Sequence, residues 1–528
     1  MTQRQEQQKA WTTRFRKAGF LLAAIGLLGG LVTTSLGCDT VARISFSERN
    51  FDSLHSTSIS ALGDSASTCE GVNSDGEMRA RFVLEDTDQQ PIREGDEVAE
   101  EVVGDGSFGD SISFRDAAFS ETGRGTGQCE STEDDCQTDN FTCDTAPAED
   151  LKTCHRDEGD MSIDENPIFI SENDGHNVFG LLAEDTGGFR GFSVDGEGER
   201  YEELATDIDG ERKSAITNME GPFRRTAELA AENDRQSYFG LWSFGGANVE
   251  STYSDGNFVT KPANISQATG NYDDSQSNRQ LPASVYESLA TTIEDYLSAE
   301  ALEGDDDLNM SSTSAADASK TLALLVDGPD ELGEADDDDV DNVIDLAQEH
   351  GVRVFIYHFD PELEAYVEGS DRQMPDPRDY WEDSSGTCSD DSDCAKSYET
   401  CRKPIDAKGQ VMEDEDEYCL VERDEESGRI GPIDDYAQLA CATGGSYEYL
   451  ASPGALETRM NWLPYAMEGL WETTLTSARV DRGQLDAGSS YFVHGRMELA
   501  LHGDESGYSF RLGDEPEEDA RSVVFIGD

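Results

Sequence analysis

Positive charge is what this chain has least of. Its 528 residues carry 39 Lys and Arg against 113 Asp and Glu, a formal net charge of −74, and only nine of the basic residues are lysine. Nucleic acid and anionic membrane surfaces bind clustered cations, so both are poor partners for this surface, and no nucleic-acid partner is expected. Histidine is scarce too, with seven in all. There is no H-E-x-x-H, no G-x-S-x-G and no usable Cys-His pair, which removes the common metalloprotease, serine hydrolase and thiol hydrolase signatures. There is no C-x-x-C, so the cysteines do not read as a zinc site. After the first 40 residues no segment is apolar enough to span a membrane.

The acidic excess is spread over every segment. A diffuse carboxylate surface poor in lysine resembles that of halophilic proteins, which stay solvated in brine. The runs Asp305–Asp307 and Asp336–Asp339 lack the Asp-x-Asp-x-Asp-Gly order of a calcium loop and read as solvated loops.

The N-terminus reads as an export signal. Arg14, Arg16 and Lys17 precede an apolar stretch from Phe20 to Val32, too short and too glycine-rich for a spanning helix. It ends in Ser35-Leu36-Gly37-Cys38. That ending resembles the bacterial lipoprotein signal, with Cys38 as the lipidated first residue of the mature chain and residues 1–37 removed. The resemblance implies a lipid-anchored protein of the bacterial cell envelope, facing the periplasm or the exterior. Setting Cys38 aside leaves ten cysteines, an even number that suits an oxidising compartment. Disulfide candidates are Cys69, Cys129, Cys136, Cys143 and Cys154 early in the chain, and Cys388, Cys394, Cys401 and Cys419 late. Cys441, alone in an apolar helical pattern, reads as a buried thiol.

Periodicity divides the rest. Residues 38–170 show short strands and turn residues, with a disulfide-stapled loop between Cys129 and Cys154. From 171 to 472 strands alternate with helices. Asn177 to Asp185 and Thr321 to Asp327 are apolar runs that each end on an aspartate, as strands buried on both faces of a parallel sheet do. Ser237 to Phe244 and Val352 to Phe359 are further strands, and Asn257 to Thr260 a short antiparallel edge. Helices are expected over 210–219, 223–233, 282–297, 340–350, 436–442 and 454–470. Residues 360–430 break the pattern: they are acidic, carry four cysteines and cannot build a core without staples. The α/β pattern then resumes, so this is a cysteine-rich insertion. Residues 473–528 return to strands. The expected architecture is α/β: a doubly wound, mostly parallel sheet flanked by β-rich N- and C-terminal regions.

Four stretches carry a resemblance to the von Willebrand factor type A domain. They are L-L-A-E-D-T-G-G-F from Leu181, Y-F-G-L-W-S-F from Tyr238, L-A-L-L-V-D-G-P-D from Leu322, and L-A-C-A-T-G-G-S-Y-E-Y-L from Leu439. Their order and spacing fit that family across about 300 residues, the insertion included. That family often holds a divalent cation at the carboxyl edge of the sheet, on an Asp-x-Ser-x-Ser motif, a threonine and a second aspartate. Asp185 and Asp327 match the two aspartates. The serine positions fall on Gly187 and Phe189, and the threonine position on Ala283. The resemblance therefore implies a degenerate metal site with no resident cofactor; magnesium or calcium could be held only weakly. It implies a binding module that contacts another protein or an envelope component, not an enzyme. An envelope hydrolase and a purely structural envelope protein are the alternatives.

Labelling cells with a fatty-acid analogue should tag the wild-type chain and leave Cys38→Ala unlabelled. Equal labelling of the two would remove the lipid anchor.

Overall fold

The computed structural model describes residues 53–59, 77–85, 112–121, 129–163 with gaps, 168–170, 175–186, 192–194, 200–202, 211–272 without 247, and 283–330 without 306. It continues over 337–359, 387–423 with gaps, 432–450, 456–476 with gaps, 485–499 with gaps, 508–512 and 520–526. The leader, Cys38, Cys69, Gly187 and Phe189 lie outside the described residues.

The early strands are β1 (Ser53–Ile59), β2 (Glu77–Glu85), β3 (Ile112–Glu121), β4 (Thr142–Thr145), β5 (Lys152–Ile163) and β6 (Ile168–Ile170). Next come β7 (Asn177–Glu184), β8 (Phe192–Val194), β9 (Arg200–Glu202), β10 (Ser237–Gly245), β11 (Asn248–Ser251), β12 (Phe258–Val259), β13 (Ser319–Val326) and β14 (Val352–Phe359). The last are β15 (Glu399–Arg402), β16 (Tyr418–Arg423), β17 (Tyr447–Leu450), β18 (Leu470–Thr476), β19 (Ser489–Leu499), β20 (Tyr508–Leu512) and β21 (Ala520–Ile526). The helices used below are α1 (Glu211–Asn218), α2 (Glu220–Glu232), α3 (Ile265–Asn271), α4 (Val285–Thr292), α5 (Asp337–His350), α6 (Asp434–Ala442) and α7 (Leu463–Ala466).

The centre is a parallel sheet in the order β10-β7-β13-β14-β17. Antiparallel β11 and β12 both pair with β10, covering different halves of it, so the return expected near Asn257 is one of two. At the other end β21 pairs antiparallel with β17, and the sheet continues from β21 through β19 to β3. β18 pairs with β2, so the strand that leaves the parallel sheet joins one that precedes it.

Alternation along each strand makes two cores. Val178, Leu182, Trp242, Phe244, Leu322, Leu324 and Val354 face α4, α5 and α6. Phe179, Leu181, Phe239, Leu241, Ala323, Leu325 and Phe355 face α1, α2, α3 and α7. Every residue of β7, β10, β13 and β14 is buried, which is why these runs read as continuous apolar stretches.

Local chemistry sets the helix ends. Val285, Leu289, Ile293 and Leu297 repeat every four residues and are all fully buried. An α-helix turns in 3.6 residues, so a strict four-residue repeat drifts off the face. The chain corrects this with a wider π turn over Ile293–Leu297. Helix α6 closes at Gly444, whose φ is 77°, with the Gly445 amide returning to the Ala440 carbonyl at 2.8 Å. The helix expected over 454–470 ends early. Helical geometry stops at Ala466, and Leu470 already belongs to β18, after Gly469 at φ 128°.

The amino edge of the sheet is locked by a buried ion pair. Arg235 meets Glu468 at 2.5 Å, with the Glu468 side chain fully buried, and Asn177 donates to the other Glu468 oxygen. This ties the start of β7 to the turn before β18.

Gly180 and Gly240 are register partners on β7 and β10. Together they leave a flat floor for the Trp242 indole. A Cβ on Gly240 would lie 2.1 Å from the Trp242 ring, and one on Gly180 2.7 Å from it. The indole is boxed in by Phe258 and Tyr296, with ring centroids at 5.4 and 5.0 Å. Gly240→Ala should therefore destabilise the chain by about 1–3 kcal/mol through overpacking, and Trp242→Phe in the same chain should recover part of the loss. Denaturant midpoints measure both; an unchanged midpoint for Gly240→Ala would contradict this packing.

Candidate functional site at the carboxyl edge of the sheet

Because the five central strands are parallel, their carboxyl ends share one edge, where open α/β sheets build their sites. β7 and β13 are neighbours, with Ala183 opposite Leu325. Asp185 and Asp327 therefore emerge side by side, as the sequence places them. Asp185 is 1% exposed, and its amide donates to the Phe244 carbonyl of β10 at 2.8 Å. Ala283 reaches the same edge through a parallel bridge to Gly246, just beyond β10.

The residue that organises this edge is Glu184, which sequence reasoning passed over. It is 1% exposed. One carboxylate oxygen accepts the Thr186 hydroxyl, and the other accepts the Asp327 amide at 3.2 Å. One side chain thus clasps the loop after β7 to the loop after β13. The Glu184 carbonyl is also used: Arg212 and Tyr272 donate to it at 2.8 and 2.9 Å. The Arg212 guanidinium lies 5.0 Å from the centre of the Tyr272 ring, a favourable cation–π arrangement in a buried setting.

A second set of contacts joins the β13 loop to α4 and α6. The Tyr286 amide donates to Asp330 at 3.0 Å, the Tyr286 hydroxyl donates to Asp435 at 3.3 Å, and the Tyr436 hydroxyl donates to the Gly328 carbonyl at 2.9 Å. Burial first raises both phenols above their ordinary range, helped next by Asp435 at Tyr286 and by Tyr286, then Glu184, at Tyr436, so they remain donors. Asp330 lies in a stretch singled out from the sequence, L-A-L-L-V-D-G-P-D, but nothing in a linear pattern says that it reaches α4. Tyr286, Tyr436, Arg212 and Thr186 were likewise not foreseen.

His358 lies next to Val326 in the sheet register and is 3% exposed. Its Nδ1 is 2.8 Å from the Tyr447 hydroxyl, which itself accepts the Ile433 amide at 3.0 Å. His358 and Tyr447 thus share one hydrogen bond whose donor is set by the His358 tautomer, and burial holds the imidazole neutral. Tyr436, Tyr447 and Tyr449 surround the ring with centroids 5.2 to 6.2 Å away. These contacts give His358 a structural role.

Of the family's remaining ligand positions, one falls among the described residues. Ala283 brings no hydroxyl. Ser284, beside it, has its hydroxyl 3.5 Å from Glu287. The Glu184 carboxylate, the nearest extra anion, is committed to Thr186 and to the Asp327 amide. Positions 187 and 189 are Gly and Phe. Elsewhere, two sulfur clusters, Cys129-Cys136-Cys154 and Cys388-Cys394-Cys419, are compact enough for a metal. All six cysteines are in disulfides, and a metal ligand must be a thiolate. Cys441 is buried and outside these bridges. Among the described residues no helix is long and apolar enough to cross a membrane.

No family model and no curated protein matches the chain. Among solved structures it is similar to proximal thread matrix protein 1 from the mussel byssus, with a zinc-occupied MIDAS motif. Identity is 16%, coverage 36% of this chain and 39% of that one, and the TM-score 0.24. This chain thus spans well under half of the mussel protein. It is also similar to the manganese-loaded Plasmodium vivax TRAP protein, at 10% identity, 66% and 97% coverage, and a TM-score of 0.25. Likeness at this level carries no argument about activity; the fold rests on the mostly parallel sheet order described above.

Burial pushes the His358 imidazole down from 6.5 to about 3. Between those values the unfolded chain takes up a proton that the folded chain refuses. Stability therefore falls as pH drops from 6.5 towards 3, by about 1.4 kcal/mol per pH unit from this residue. His358→Gln keeps an acceptor for Tyr447 and does not titrate. Chemical denaturation at several pH values should show the stability gap between the wild type and this variant narrowing below pH 6.5. A constant gap would mean that His358 is not held neutral.

Proposed function

We propose that the chain is a lipid-tethered, protein-binding module of the von Willebrand factor type A kind. In this reading it acts at the carboxyl edge of its parallel sheet without a tightly held cation. The observation that carries the reading is the Glu184 clasp: a carboxylate joins the β7 and β13 loops where the family's pattern would use a cation and hydroxyl ligands. Both carboxylate oxygens of the clasp are hydrogen-bonded, which holds Thr186 and Asp327 together, and preorganised groups lose less entropy on binding. His358 is hydrogen-bonded to Tyr447 and the Glu184 carboxylate is engaged by Thr186 and the Asp327 amide, which favours binding over hydrolysis. The export signal and the disulfides fit a partner in the bacterial envelope. The diffuse acidic surface fits a halophilic setting and makes nucleic acid a poor partner.

The test is capture of envelope proteins by the full chain in a chelator at matched ionic strength, since loose counter-ion effects are screened alike there. Capture should persist in chelator and be lost in Asp330→Arg. Capture that needs magnesium, with stoichiometric magnesium binding abolished by Asp185→Ala or Asp327→Ala, would overturn cation independence. Absence of any capture would leave the chain as scaffold.

A further inference from the structure

The two cysteine-rich segments, one before the parallel sheet and one inserted within it, share a plan. In the first, Cys129 bonds Cys143 and Cys136 bonds Cys154; in the second, Cys388 bonds Cys401 and Cys394 bonds Cys419. Each thus joins first to third and second to fourth, one of three pairings open to four cysteines. The third and fourth cysteines stand opposite each other in an antiparallel hairpin both times: Cys143 opposite Cys154 in β4–β5, and Cys401 opposite Cys419 in β15–β16. Neither facing pair is bonded; each reaches back to the preceding loop instead.

The agreement extends to the backbone. The Cys129 amide donates to the carbonyl of Lys152, two residues before the fourth cysteine, at 3.1 Å. The Cys388 amide donates to the carbonyl of Glu417, again two residues before the fourth cysteine, at 3.0 Å. The fourth cysteine is buried in both, at 2% and 1% exposure, while the other three are partly exposed. The sequences agree where this plan is built. A glycine stands two residues before the first cysteine (Gly127, Gly386), an aspartate just before the second (Asp135, Asp393) and a threonine just before the third (Thr142, Thr400). Six residues separate the second and third cysteines in each. The copies differ in the hairpin loop, longer in the second, and in the strand they join: β5 pairs antiparallel with β3, and β16 parallel with β9.

We infer that residues 127–157 and 386–423 are two copies of one disulfide-built module, whose pairing is set within the module and not by the sheet that receives it. Different receiving strands with the same internal plan are what this requires. The second copy, with β8 and β9, forms a four-stranded sheet on connections that leave the carboxyl edge after β7 and β14. The chain thus carries the same unit there and in its N-terminal β region.

A graft in the full chain tests the inference. Cys388 to Cys419 is replaced by Cys129 to Cys154, and non-reduced peptide mapping reads the bridges at the new place. First-to-third and second-to-fourth pairing is expected there, with the thermal midpoint of the α/β core unchanged. Another pairing, or a mixture of the three, overturns the inference. A grafted chain that fails to fold counts against it equally, since a self-contained module should transplant.

Discussion

Parallel strands that carry no face to water must be covered twice, and this single constraint shapes the molecule. β7, β10, β13 and β14 are buried on both sides. Helices must therefore lie on each face, crossovers must return each strand to the same starting edge, and every carboxyl end must open at the other. The shared carboxyl edge is a consequence of topology before it is a matter of side chains. The same burial explains the Gly180–Gly240 floor: a sheet packed this closely accommodates an indole only where Cβ atoms are missing.

Much of this was legible in the residues. Buried strands announce themselves as short apolar runs, and the two that stop at Asp185 and Asp327 are neighbours in the sheet. The helix from Val285 was visible in its four-residue repeat, although not the π turn that the repeat demands. The cysteine-rich insertion was visible as polar sequence that cannot form a core. What was not legible depends on direction or distance. Asp185 drew attention as the end of the run, yet Glu184 makes the clasp, because which of two adjacent carboxylates turns toward β13 follows from the pleat and not from composition. Contacts such as Tyr286 to Asp435 span 149 positions and leave no local signal. The pairing of β21 with β17, which carries the parallel sheet on into the terminal strands, is of the same kind.

The distribution of cysteines follows from where apolar surface is available. The parallel sheet is held by large buried side chains and needs no bridge; its one cysteine, Cys441, packs as a small apolar group. The two modules are short, acidic hairpins with little to bury. Closing their loops by bridges restricts the unfolded chain, which is how small polar units reach stability. The four bridges among the described residues thus sit in two segments of short hairpins rather than in the buried parallel sheet.

A clasp made from a carboxylate suits a molecule of this charge better than a cation would. A bound divalent ion must be won from the loose counter-ions that a net charge of −74 gathers, and it needs a full set of oxygen ligands to replace its water. Glu184 avoids that competition. Its negative charge is buried, but one oxygen is met by a hydroxyl and the other by a backbone amide, and charge-assisted bonds of this kind are the strong ones. Arg212, buried against Tyr272 and bonded to the Glu184 carbonyl, adds a fixed positive charge close by. On the reading proposed above, the edge is organised by covalently attached groups at fixed stoichiometry, and Glu184 stands in for a resident cation.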